Sequence, residues 1–324
     1  MAPLDWTLLH PGALGDLVLA LHLAARIPEI RRAARLNVYS RIALPPIRIS
    51  GLHIRFASTE SLHLDWLFRD PAAAGPAPTK LQSAIAQRGV LNLYSGPTHP
   101  LHERLRAMNP LACFSLDTAT PIISDAKQHI LKTWERRLNE QGLLARSCTQ
   151  LERCGHRFHL DQPDTADHHR RDEHPKPDIL IHPGSGGIAK CWPLANFLNL
   201  AASFAADGRT VAFILGPAEA ERWPAEKIAE IRRNHDLIQP ADIHELASQL
   251  AAAPLYIGND SGPTHLAAAL GTPTLALFGP TRAARWRPLG RAVETLQGDP
   301  ARDDAWGIPP AAIRTAALRL CSPS

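Results

Sequence analysis

The sequence predicts an α/β protein of two Rossmann-like domains, each built on a parallel sheet, and three observations carry that prediction. Short apolar strands alternate with helical stretches along much of the chain, the pattern of parallel strands covered on both faces. The 324 residues exceed one ordinary domain of about 100–200 residues. A stretch almost devoid of apolar residues, 161–178 (DQPDTADHHRRDEHPKPD), separates two halves that open with the same strand, glycine turn and helix.

Trp6–His10 (WTLLH) is the first strand, Pro11–Gly15 a turn, and the stretch from Asp16 (DLVLALHLAARI) a mostly buried helix, since its apolar residues are too closely set for alternation. Further strands are expected at Leu36–Ser40, His53–Phe56 and Val90–Tyr94. The second half opens with strand Ile179–His182, turn Pro183–Gly187 and a helix through WPLANFLNLAASFAADG that ends at Gly208. Strand Thr210–Leu215 follows, then a helix from Ala218 to about Asn234, strand His235–Ile238 and helix Asp242–Ala252, with Asp242 as N-cap. Strand Leu255–Gly258, helix Gly262–Leu270, strand Thr274–Phe278 and helix Ile308–Leu320 complete the reading. The expected division is a first domain at 1–160, a linker at 161–178, a second domain at 179–305, and a helix and tail at 306–324.

A composition of 45% hydrophobic and 20% charged residues excludes a wholly disordered or fibrous chain. The net charge of +4 conceals an asymmetry. Residues 1–160 carry 19 Lys/Arg against 12 Asp/Glu, net +7, and the remainder 16 against 19, net −3. An anionic partner for the first half fits this balance, as does a merely solvated basic surface. Cys113, Cys148, Cys154, Cys191 and Cys321 contain no CxxC pair, so reduced thiols of a cytoplasmic protein are expected. The N-terminus has no basic segment ahead of an apolar run, and no apolar run approaches the roughly 20 residues of a membrane span, which predicts a soluble or peripherally attached protein. His156 and His159 near Cys154 make an incomplete ligand set and read as solvated histidines, so no metal is expected.

Two such domains leave a cleft, and open parallel sheets bind ligands beyond the carboxyl ends of their strands. Four motifs lie at such ends. In Gly12-Ala-Leu-Gly15-Asp16 the glycines permit close backbone approach to a ligand; Asp16 is either an N-cap or a carboxylate acting as general base. His182-Pro-Gly-Ser185-Gly186-Gly187-Ile-Ala-Lys190 offers backbone N–H groups and a lysine to phosphate, yet matches neither GxxxxGK[ST] nor GxGxxG. In Gly216-Pro-Ala-Glu219-Ala-Glu221 a carboxylate could hold a ribose diol or simply favour a helix start. Asp260-Ser261-Gly262-Pro-Thr264-His265 brackets a helix start with hydroxyls and free N–H groups suited to a diphosphate. Ser95-Gly-Pro-Thr-His99 echoes Ser261–His265 at a strand end of the basic half and makes His99 a candidate for the acceptor site.

Together these blocks resemble glycosyltransferase family 9, the ADP-heptose:lipopolysaccharide heptosyltransferases. The resemblance rests on GALGDLVLALHLAARI, IHPGSGGIAKCWPLANFLNLA, FILGPAEAE and IGNDSGPTHLAAALGTPTLALFGPT, and covers nearly the whole chain. It implies a GT-B fold and inverting, metal-independent transfer of a heptose from ADP-heptose to a lipopolysaccharide core hydroxyl. The donor would lie on the second domain and an anionic glycolipid acceptor on the first. Asp16 then matches the catalytic base and Lys190 the lysine that contacts the donor diphosphate. Gly15, Ser185, Gly186, Asp260, Ser261, Gly262, Thr264 and His265 fall in the donor-binding elements, and one of Glu219 and Glu221, preferably Glu221, matches the ribose carboxylate. Where many members carry Arg before the first glycine turn, this chain has His10-Pro11. A protein or other glycan acceptor, or a non-catalytic nucleotide-sugar module, are the alternative readings. The resemblance also implies a cytoplasmic monomer without nucleic-acid partner, in peripheral contact with the membrane face.

Overall fold

The computed structural model describes residues 4–70, 75–118, 128–143, 155–161 and 176–321. Most of the expected linker, with Cys148 and Cys154, lies outside them. The chain divides into two compact units, Met1–Thr149 with Phe158–Asp161, and Gln150–Arg157 with Gln162–Ser324.

The first unit runs β1 (Trp6–His10), α1 (Leu14–Ala24), α2 (Pro28–Arg31), β2 (Leu36–Ser40), β3 (Ile47–Ile49), β4 (Leu52–Ser58), α3 (Thr79–Ile85), β5 (Gly89–Asn92), α4 (Pro100–Arg106), β6 (Ala112–Ser115), α5 (Ile130–Glu140) and β7 (Phe158–Leu160). Two short 3₁₀ turns, Thr59–Leu62 and Leu64–Phe68, follow β4. The sheet order is β6-β5-β1-β2-β4-β3-β7. All pairings are parallel except those of β3, which runs against β4 and β7. Sequence reasoning missed β3 and β7. The β3–β4 hairpin turns on Ser50 and Gly51, both at positive φ (51° and 86°), the conformation that a two-residue turn between twisted strands requires. Every residue of β1 is buried, so its apolar run packs on both faces. At the far end of α1, Arg26 pairs with Glu135 of α5 inside the unit, both nearly inaccessible.

The second unit runs β8 (Ile179–His182), a 3₁₀ turn (Ile188–Lys190), α6 (Leu194–Ala206), β9 (Val211–Ile214), α7 (Pro217–Arg222), α8 (Ala225–Asn234), β10 (Asp236–Ile238) and α9 (Ile243–Ala252). It continues through β11 (Tyr256–Asn259), α10 (Gly262–Leu270), β12 (Thr274–Phe278), α11 (Ala283–Trp286), β13 (Val293–Gln297) and α12 (Pro310–Cys321). Its six strands are all parallel in the order β10-β9-β8-β11-β12-β13. By chain position this is 3-2-1-4-5-6, the doubly wound arrangement.

The sequence expectations need three corrections. The single helix from Ala218 is two, because Pro224 interrupts the pattern and starts α8. Strand β13 was not foreseen. Helix α1 begins at Leu14 with Ala13 at its N-cap, so Asp16 is no cap; it lies in the first turn, where the helix dipole favours a carboxylate. The last helix puts its buried face (Ile313, Ala316, Ala317) into the core of the second unit, against α6, β12 and β13. Asp242 does cap α9, its carboxylate accepting the Glu245 N–H at 2.8 Å.

Candidate active site

The strand order reverses direction beside β8 in the second unit, so the loops after β8 and β11 emerge together, with His182 in register with Gly258. Asn259, the last residue of β11 and fully buried, locks these loops. Its amide Nδ2 donates to the carbonyls of Pro183 and Gly184 at 2.9 and 3.2 Å, and its Oδ1 accepts the Trp192 N–H at 3.0 Å. The Ser185 hydroxyl adds a bond to the Asp260 carbonyl at 2.8 Å. The glycine loop is thus fastened to the start of α10 by side chains bridging two strand ends.

Three predicted residues, Lys190, Asp260 and His265, converge there, joined by Thr281. Lys190 Nζ lies 3.1 Å from Asp260 Oδ2, and the Thr281 hydroxyl donates to the same oxygen at 2.7 Å. His265 Nε2 stands 3.7 Å from Asp260 Oδ1. Burial pushes the Asp260 carboxyl up, but His265, Lys190 and Thr281 together outweigh it and bring it down to about 2. Lys190 is therefore a half-exposed ammonium already beside a buried carboxylate, at the start of a helix whose first N–H groups have no partner within the helix. An anion placed there would meet Lys190 and the N–H groups at Gly262 and Thr264.

Other predicted residues serve the scaffold. The Thr264 hydroxyl is buried and donates to the Asn259 carbonyl at 2.6 Å, with Tyr256 Oη and Ser261 Oγ at 3.1 and 2.9 Å from it. Ser261 occupies the N-cap of α10 without a side-chain capping bond. Glu219 is buried: its Oε2 accepts the Gly216 N–H at 3.0 Å and lies 3.6 Å from His182 Nε2. Burial alone would raise the Glu219 carboxyl; the His182 ring and the Gly216 N–H outweigh that and hold it below its ordinary value. Glu221, two residues on along α7, is exposed. Gly186 and Gly187 face open space, and Arg222 donates to the Gly186 carbonyl at 3.0 Å.

In the first unit the reversal falls between β1 and β5. Gly15 and Asp16 occupy the first turn of α1, with Asp16 half-buried. Gly12 is required by close approach, since a Cβ there would fall 2.9 Å from His10 Cε1 and 3.2 Å from Asp16 Cβ. His10 Nδ1 accepts the Gly12 N–H at 3.2 Å, and burial brings the imidazole down to about 4, so it is neutral. The echo motif lies after β5, the topological counterpart of β11, and β5 likewise ends in a buried asparagine, Asn92. Its Oδ1 accepts the Tyr94 N–H at 3.1 Å, and its Nδ2 reaches Ser115 Oγ and Ser95 Oγ at 3.0 and 3.3 Å. The copies then diverge. Two residues, Leu93 and Tyr94, stand where the second unit has Asp260 alone, and the helix begins only at Pro100, with His99 as its cap. The exposed His99 ring accepts the Leu101 N–H at 3.1 Å.

Sequence reasoning missed Asn92, Asn259, Thr281, His182 and Arg222. A strand-terminal Asn just before a glycine motif was a signal in the text of the chain; the contacts of Thr281 and Arg222 depend on distant elements and leave no local trace.

Two doubly wound units, the second with a glycine-rich loop locked at the reversal of its sheet, define an α/β protein of the GT-B fold. The chain belongs to glycosyltransferase family 9 (heptosyltransferase), which it matches over residues 108–302. It is 34% identical over 113 residues to lipopolysaccharide heptosyltransferase 3 of Escherichia coli, a match spanning 34% of this chain and 33% of that protein. The match thus spans about a third of the relative's length. Among solved structures, the family 9 glycosyl transferase of Veillonella parvula superposes with a TM-score of 0.65 at 14% identity, covering 99% of this chain and 98% of that one. The E. coli heptosyltransferase WaaC with ADP-2-deoxy-2-fluoro heptose gives 0.57 at 14%, covering 97% and 99%. The iron-containing dodecameric glycosyltransferase TibC of enterotoxigenic E. coli gives 0.53 at 15%, covering 98% and 76%.

Proposed function

We propose that the protein transfers a heptose from ADP-heptose to a hydroxyl of a lipopolysaccharide core acceptor, with inversion and without a metal. The observation that carries the reading is the meeting of Lys190, the Asn259-locked glycine loop and the start of α10 at the reversal of the second sheet. Such a site suits the two phosphates of a nucleotide sugar. The name of the curated relative supplies the acceptor class and the ligand of the WaaC structure the donor class.

In this reading Asp16 accepts the proton of the acceptor hydroxyl, whose oxygen attacks the anomeric carbon opposite the leaving group. The bond from that carbon to the diphosphate oxygen breaks, and its electron pair leaves with ADP. Lys190 and the N–H groups opening α10 meet the charge that accumulates on the diphosphate, so the chain's own groups serve as leaving-group stabilisers. Glu221, exposed on α7, is the carboxylate for the ribose, because Glu219 is committed to Gly216 and His182. The protein acts as a cytoplasmic monomer at the membrane face; among the described residues no helix is long and apolar enough to span a bilayer.

The test is a thermal-shift screen of nucleotide sugars followed by turnover on core oligosaccharides, with the product's anomeric configuration read by NMR and the assay repeated in EDTA. Stabilisation by ADP-heptose but not by UDP- or GDP-sugars, an inverted product and EDTA-insensitive turnover are expected. Indifference to every nucleotide sugar overturns the reading. Asp16→Asn should lower turnover by about 10²–10⁴ while leaving ADP binding intact.

A further inference from the structure

In the first unit the carboxyl ends of four parallel strands carry more than the base. Arg41 follows β2, Thr59 follows β4 and Tyr94 lies two residues beyond β5, all on the edge from which the Gly12–Asp16 turn departs. Asn92 fixes the Tyr94 backbone, and Asn92 is itself held by Ser95 and Ser115, so the loop is built rather than loose. Tyr94 is half-buried, its hydroxyl bonded to the Thr59 side chain and exposed to the field of the Arg41 charge. Against it leans Phe68, at 5.8 Å between ring centroids and 52° between planes. Phe68 is 57% exposed, the one aromatic among the large hydrophobic side chains left open to solvent in the described residues. The polypeptide before it is anchored from below: Arg104 donates to the carbonyls of Trp66 and Leu67 at 3.0 and 2.7 Å.

We propose that Phe68, Tyr94 and Arg41 form a ledge that binds an anionic sugar of the acceptor. The inference rests on the acceptor reading above and names the chemistry that reading leaves open. A pyranose presents an apolar C–H face and a rim of hydroxyls. An exposed aromatic ring takes the face, and a neighbouring phenol and guanidinium take the polar rim. The exposed Arg41 supplies the counter-charge for a carboxylate or phosphate on that sugar, in a half of the chain whose net charge is +7. In the second unit the equivalent loop presents Asp260 towards the lysine of the donor loop; here it presents Tyr94. The same architecture thus carries an anion-binding loop in one unit and an aromatic shelf in the other.

The test uses the full chain and a deacylated core oligosaccharide ending in an acidic sugar, titrated calorimetrically without donor, beside carboxyl-reduced and dephosphorylated versions of it. Phe68→Ala should weaken binding of all three roughly tenfold, and Phe68→Trp should retain it. Arg41→Gln should weaken the native oligosaccharide but not the version lacking the anion that Arg41 pairs with, which tells carboxylate from phosphate. Both residues are exposed, so melting temperatures should be unmoved. Wild-type protein that binds none of the three, or variants that bind the native oligosaccharide as tightly as wild type, overturn the ledge. ADP release from ADP-heptose is followed in parallel. If it fails while ledge-dependent binding persists, the transfer reading falls and the ledge stands; if it proceeds and Phe68→Ala does not change the acceptor KM, the ledge falls and the transfer reading stands.

Discussion

At Asp260 three neighbours overcome the cost of burial, and the balance has a sign that can be read in solution. The folded-state value of about 2 lies below the ordinary 3.8, so the stabilisation is present above pH 3.8 and is lost as the pH falls through 2. It is worth about 2 kcal/mol. Asp260→Asn lacks this contribution, and the gap between wild type and variant in urea-denaturation midpoint should narrow from pH 5 towards pH 2. His10 behaves differently. Its imidazole is neutral in the fold and titrates near 4 instead of 6.5, so unfolded chains take up the proton first as the pH drops. Stability from this residue is complete above pH 6.5 and should fall by about 2 kcal/mol between pH 7 and 5. His10→Gln should show a shallower decline of melting temperature over that interval; an unchanged slope would mean that His10 is protonated in the fold.

The loop after β8 illustrates what an element needs beyond its own residues. Gly184 has no room for a side chain, because a Cβ would lie 2.1 Å from the Glu219 Oε1 atom. Glu219 is held by Gly216 and cannot simply swing away. Gly184→Ala should therefore cost roughly 1–3 kcal/mol and weaken ADP binding by moving the loop that Asn259 fastens; a thermal melt and an ADP titration check both. The glycine itself was visible in the sequence as part of the Pro183–Gly187 turn, but its reason was not, since the crowding comes from a helix some thirty residues on. The same division runs through the fold. Strand β12 and helix α10 coincide with the expected Thr274–Phe278 and Gly262–Leu270, where apolar runs are bounded by Gly or Pro and local pattern suffices. Strand β13, with its half-buried VETLQ, has too weak an alternation to announce itself, and β7 is a three-residue strand recruited by pairing with β3. Lys190, Ser185 and Asp260 were singled out by the glycine-rich phrases that follow β8 and β11, and the structure brings the three together. That Thr264 and Glu219 are structural members of the same cluster depends on which oxygen is buried against which N–H, a long-range fact.

Across the whole chain the charge is divided, +7 in residues 1–160 and −3 in the remainder, and the two proposed substrates are both anionic. Their binding should nevertheless respond to salt in opposite degree. In the proposed site the donor diphosphate meets Lys190 and backbone N–H groups at close range, where Asp260, Thr264 and His265 are buried, so screening by mobile ions has less purchase there. The acceptor approaches exposed arginines over distances comparable with the Debye length, about 10 Å at 0.1 M salt and shorter above it. Raising the ionic strength should therefore increase the acceptor KM severalfold while altering the ADP dissociation constant far less. Initial-rate measurements at fixed saturating donor, set beside ADP titrations over the same salt series, separate the two. An acceptor KM that ignores salt would mean that the basic charge of the first half is only a solvated surface, and that acceptor recognition runs through uncharged contacts alone.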